Sequence, residues 1–138
     1  MGRLEKEGKT CVLSTIRQGV RGMKSGTLYK EIVMKKYHKL VRDRIPEIIA
    51  AAGKKCITHT LSDDEYLRAL DTKLSEEVAE YQADKSLEEM ADVLEVLQTV
   101  CIARGHSLEE LETVRAKKAA ERGGFKDKIF LEGVEEKE

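Results

Sequence analysis

Three Ser-x-x-Glu boxes set the architecture of this chain from residue 62 onward: Ser62-Asp63-Asp64-Glu65, Ser86-Leu87-Glu88-Glu89 and Ser107-Leu108-Glu109-Glu110. In such a box the serine hydroxyl caps a backbone N–H in the first helical turn, and the glutamate reaches back to the serine N–H. Each box precedes a run long enough for a helix, so three long helices are predicted. The first carries an apolar stripe of Leu67, Leu70, Leu74, Val78 and Tyr81, spaced three or four apart. The second runs to about Ala103 with Gly105 beyond it, and the third ends at Gly123-Gly124. Upstream, Pro46 opens a short helix, Glu47 to Ala52, that Gly53 terminates. Lys54 to Leu61 and Lys128 to Leu131 read as two short strands that pair with each other. The expected fold is mainly α, three long helices plus a short one with a small two-stranded β element.

The second long helix cannot be satisfied by its own chain. Leu87, Met90, Val93, Leu94, Val96, Leu97, Val100 and Ile102 occupy most of its circumference, and a helix apolar nearly all round needs cover on every side. A homodimer or homotetramer is expected to complete the bundle, with Val96 and Val100 at the helix–helix contact.

Four acids frame the turn between the first two long helices. Glu77 and Glu80 lie before it, Glu89 and Asp92 after it, and each pair is equidistant from its midpoint. Residues three apart on a helix are surface neighbours, so an antiparallel hairpin sets two carboxylate pairs level with each other. A solvated acidic face is the plain explanation, and the capping box accounts for Glu89 structurally. That explanation fits the second helix poorly, because no Lys or Arg occurs between Ser86 and Ala103. Asp92 is a weak helix former inside an apolar helix. Carboxylates converging at this range call for a cation, and an all-oxygen ligand set suits Mg²⁺, with Mn²⁺ able to substitute.

Composition excludes several classes. The chain has 138 residues, enough for one domain, and 37% of them are charged, yet the formal net charge is −1. That balance argues against a dedicated nucleic-acid binder. Cys11, Cys56 and Cys101, like His38, His59 and His106, are scattered without ligand-like spacing, so reduced thiols and no zinc site are expected. No apolar run is long enough for a membrane span and no signal peptide is evident, so a cytoplasmic protein is expected. Residues 1–33 stand apart, with seven Lys or Arg against three Glu and five glycines. Lys30-Glu31 can be encoded by a ribosome-binding hexamer, AAGGAG, just upstream of Met34. Residues 1–33 are accordingly expected to be an upstream-translated extension or a plain flexible arm, and residues 34–138 the domain.

Taken together, these motifs resemble a family. Glu76-Glu77-x-x-Glu80 followed by Glu89-x-x-Asp92 is similar to the signature of the all-α NTP pyrophosphatases, the MazG-like superfamily. Lys39-Leu40-Val41-Arg42-Asp43-Arg44-Ile45-Pro46-Glu47-Ile48-Ile49 resembles the opening of its phosphoribosyl-ATP pyrophosphohydrolase-like branch, and Glu121-Arg122-Gly123-Gly124-Phe125 resembles that branch's ending. The resemblance implies Mg²⁺-dependent cleavage of a nucleoside triphosphate between the α and β phosphates, giving a nucleoside monophosphate and pyrophosphate, and a house-cleaning role against noncanonical nucleotides. It implies Glu77, Glu80, Glu89 and Asp92 as metal ligands. Two alternatives stay open: a phosphoribosyl-ATP pyrophosphohydrolase, and a non-catalytic helical module that binds nucleotide or a basic partner.

Phosphoanhydride hydrolysis also needs a proton acceptor and cations for the polyphosphate. Glu76 is the candidate acceptor. Lys39, Arg42 and Arg44 before Pro46, Lys73 on the first long helix, and Lys118 and Arg122 on the third are candidate phosphate contacts. Surface pairing, and the helix dipole for the last two, explain them equally well. For the base, Tyr37, Tyr66, Tyr81 and Phe125 are available for stacking or for the core, and nothing in the sequence selects among nucleotides.

Overall fold

The structure, a computed structural model, describes residues 12–16 and 32–137, which fall into two compact units divided between Ile45 and Pro46. In the first unit β1 (Val12–Ile16) pairs antiparallel with β2 (Ile32–Lys36), Ser14 opposite Met34. The strand hint at Cys11-Val12-Leu13 is therefore β1. The domain boundary expected after residue 33 falls inside β2, because that segment has a strand partner upstream. Residues 1–11 and 17–31, on which the extension reading mainly rests, lie outside the described residues.

Four helices lie among the described residues: α1 (Ile45–Ala51), α2 (Asp63–Asp84), α3 (Leu87–Ala103) and α4 (Leu108–Arg122). The fold is mainly α. All three predicted caps are in place, with Ser62, Ser86 and Ser107 in extended backbone and each hydroxyl accepting from the N–H three residues on. Gly53 ends α1 at φ +80° and Gly123 caps α4 at φ +80°, conformations that cost glycine little.

The link between α2 and α3 is a single left-handed residue. Lys85 sits at φ 56°, its N–H donating to Tyr81 O at 2.7 Å, and the next residue, Ser86, already caps α3. The two helices fold back on each other. At the far end of the hairpin Arg104 Nη2 meets Asp71 Oδ2 at 2.9 Å, and Cys101 Sγ donates to Ser107 O at 3.4 Å where the chain turns into α4.

Two expectations need correction. Lys54–Leu61 and Lys128–Leu131 are not strands, and the two-stranded element is β1–β2 instead. Both segments have exposed apolar side chains (Ile57, Ile129, Phe130), and a β-prone segment with no neighbouring edge gains no ladder hydrogen bonds. The α2 stripe is also less buried than its periodicity suggests: Leu70 is 3% exposed, but Leu67, Leu74 and Tyr81 are half-buried and Val78 is exposed.

Leu70 is the one buried apolar residue among those described, whereas Lys73, Glu77, Glu89 and Asp92 are all buried. On α3 the polarity is inverted: Leu87 is 80% exposed and Met90, Leu94, Leu97 and Ile102 are exposed as well, while its two buried residues are acids. On this helix Glu89 and Asp92 face inward, and Leu87, Leu94 and Leu97 face outward. None of the described helices is long and apolar enough to cross a membrane.

Candidate metal centre

Glu77, Glu89 and Asp92 each bring a carboxylate oxygen within 4.8 Å of the other two. The hairpin explains how. Lys85 stops α2 and Ser86 starts α3 at once, so residues similarly distant from the link, such as Glu77 and Asp92, lie level. Glu89, three residues before Asp92, shares its face.

The electrostatics are severe. At an effective dielectric constant of about 20, two full charges 4.8 Å apart repel by roughly 3 kcal/mol, and the cluster contains three such pairs. Two oxygens, Glu77 Oε2 and Glu89 Oε2, are buried with no hydrogen-bond partner. Buried carboxylate oxygens are ordinarily satisfied, because their desolvation is otherwise uncompensated. The donor set is all oxygen, compact and short of positive charge, and so fits a hard divalent cation.

One cation is built in. Lys73 Nζ lies 3.0 Å from Glu77 Oε1 and 3.8 Å from Glu76 Oε2. The ammonium is nearly as enclosed as the acids, Lys73 being 8% exposed. Sequence reasoning placed Lys73 at the surface or on phosphate. What it missed is that Lys73 lies seven residues before Glu80 and three after Leu70, on the α2 face that the hairpin covers.

The remaining predicted site residues are distributed as follows. Glu80 lies outside the convergent trio and is half-buried, at the edge of the face centred on Glu77. Glu76 is half-exposed beside Lys73. Lys118 and Arg122 are exposed on α4, whose neighbour Arg115 forms a two-pronged bond to Glu112 at 2.8 and 2.6 Å. That bond raises the Arg115 pKa and lowers that of Glu112. Lys39, Arg42 and Arg44 belong to the first unit; Lys39 is half-buried, its Nζ 5.6 Å from the centre of the Tyr37 ring, and both arginines are exposed. Of the aromatic candidates, Tyr66 and Tyr81 are half-buried, and Phe125 is 99% exposed.

The capping box that the sequence offers as a structural explanation for Glu89 forms only in part. At Ser62 and Ser107 the glutamate side chain returns to the cap N–H, with Ser62 N donating to Glu65 Oε1 at 3.3 Å and Ser107 N to Glu110 Oε2 at 3.0 Å. At Ser86 only half of the box forms. Glu89 N donates to Ser86 Oγ at 3.3 Å, but the Glu89 carboxylate is turned into the acidic cluster.

An uncharacterized protein from Mycolicibacterium smegmatis (strain ATCC 700084 / mc(2)155) is 64% identical over 45 residues, covering 33% of this chain and 46% of the relative. The matched stretch thus spans less than half of that relative's length. No family model matches the chain, and no solved structure matches it.

Proposed function

We propose that the chain is a Mg²⁺-dependent nucleoside triphosphate pyrophosphohydrolase that cleaves the α–β phosphoanhydride to a nucleoside monophosphate and pyrophosphate. One observation carries this reading: Glu77, Glu89 and Asp92 converge in a buried cluster in which two carboxylate oxygens lack partners. The motif resemblance to the MazG-like superfamily supports it, since those residues fall on that family's acidic signature.

Glu77, Glu89 and Asp92 would hold the ion, with Glu80 at the rim of the same face. A bound divalent ion supplies Lewis acidity toward phosphate oxygens. Glu76, at the solvent side of Lys73, accepts the proton of the water that adds across the anhydride. Lys118 and Arg122 on α4 serve as cations for the polyphosphate. The exposed leucines of α3 and the apolar tail from Phe125 to Val134 support a homodimer or homotetramer, which removes that surface from water.

The test is pyrophosphate release from a panel of canonical and damaged nucleoside triphosphates and phosphoribosyl-ATP, with and without Mg²⁺. Release of pyrophosphate only with Mg²⁺ supports the reading, and the preferred member names the substrate. Failure to release pyrophosphate from any member, by protein shown to bind Mg²⁺, rejects it in favour of a non-catalytic module.

A further inference from the structure

We propose that Lys73 is a positioning residue of the metal centre, a fixed counter-charge that orients Glu77 and sets the intake at one divalent ion per chain in the absence of nucleotide. This rests on the reading of Glu77, Glu89 and Asp92 as a cation site.

The first argument is charge. Three carboxylates and one ammonium are buried together, and Lys73 is the only buried basic residue among those described. The formal sum of these buried groups is that of a dianion, which one divalent ion neutralises, while Glu76 and Glu80 at the rim are only half-buried and keep water beside their charge. A second ion would have to enter a site already balanced, next to a fixed ammonium, and would need phosphate oxygens to accompany it.

The second argument is geometry. Lys73 engages one oxygen of Glu77, Oε1 at 3.0 Å, while Oε2 is left without a hydrogen-bond partner. The carboxylate is thereby held with one oxygen occupied and the other available to a ligand.

The third argument is cost. Lysine in a helical hairpin ordinarily runs its methylenes over apolar surface and keeps its ammonium in water, and burying that charge is expensive without close partners. Helix stabilisation does not explain the pair, because a lysine four residues before a glutamate is the less favourable order along a helix. The arrangement is explained if the ammonium holds the acids together before the ion arrives.

The test is Mn²⁺ binding to the full chain, by calorimetry and by the electron paramagnetic resonance of free Mn²⁺, without nucleotide. The wild type is expected to take one ion per chain. Lys73→Met, which keeps the side-chain bulk, is expected to melt at lower temperature without metal and to bind Mn²⁺ about tenfold more tightly, because a like charge next to the ion is gone. Lys73→Arg is expected to restore wild-type affinity. Two or more ions per wild-type chain, or unchanged or weaker binding by Lys73→Met, overturns the role assigned to Lys73 while leaving the cation site intact. If Lys73→Met does not fold without metal, the wild-type stoichiometry decides alone. Absence of Mn²⁺ binding by the wild type rejects the cation site itself, and the role of Lys73 with it.

Discussion

The first turn of α3 and the first turns of α2 and α4 are built from the same four-residue formula, and they end differently. At α2 and α4 the glutamate closes the box on its own helix; at α3 it leaves its serine half-capped and goes into a cluster of like charges. A reciprocal cap is local and favourable, so forgoing it needs a reason elsewhere in the molecule. The difference is that Glu89 faces Glu77 and Asp92 between the helices instead of its own cap, as the proposed cation site requires.

The largest effect that could break this comparison is on function. Asp92→Asn, Glu77→Gln and Glu89→Gln are each expected to lower pyrophosphate release on the order of 10²–10³-fold, with Mg²⁺ binding lost and helicity by circular dichroism retained. Glu65→Gln and Glu110→Gln should leave activity unchanged. Equal effects at all five positions would mean that the half-closed box carries no special meaning.

Next in size is assembly. Wild-type protein is expected to be the proposed homo-oligomer in light scattering at micromolar concentration, and Leu94→Glu combined with Leu97→Glu, on the outward face of α3, to be monomeric. An unchanged mass would show that this face is not the contact between copies.

Stability without metal should then separate the boxes by sign. Glu89→Gln removes two like-charge contacts and is expected to raise the melting temperature of the metal-free protein by several degrees, a gain of about 1–2 kcal/mol. Glu65→Gln keeps an acceptor for Ser62 and should leave the melting temperature nearly unchanged. A destabilised metal-free Glu89→Gln would argue that the cluster is held by interactions other than charge.

The smallest effect is that of acid on the start of α2. The hydrogen bonds from Ser62, side chain first and backbone second, lower the Glu65 pKa below its ordinary 4.5. Its contribution is therefore complete above that ordinary value and is lost as pH falls through the lower folded value. A slight loss of helicity in that acid range is expected in the wild type and should be weaker in Glu65→Gln, which does not titrate.

Much of the helical framework was legible in the residues, and the reason is physical. Ser62, Ser86 and Ser107 satisfy backbone donors within their own first turns, so the signal is contained in four consecutive residues. Gly53 and Gly123 likewise mark ends that need unusual backbone angles. What depends on a distant partner was not legible. Cys56-Ile57-Thr58 and Ile129-Phe130-Leu131 have strand-like composition, but neither is paired with a strand among the described residues. The acidic pairs were recognisable from spacing, yet spacing alone treats Glu77 and Glu80 alike. Only the packing of α2 on α3 puts the first into the cluster and the second at its edge, and only that packing encloses Lys73.

The one-residue link at Lys85 also bears on the order of assembly. Everything from Lys73 to Asp92 lies within twenty consecutive positions, so closing the hairpin requires bringing together only near neighbours along the chain, at little loop-closure entropy. A nascent polypeptide can organise these acids as soon as α3 emerges from the ribosome, before α4 and the tail have emerged. Lengthening the link by one residue would rotate α3 by about 100° relative to α2, leaving a hairpin that still forms quickly but presents its acids to the wrong side.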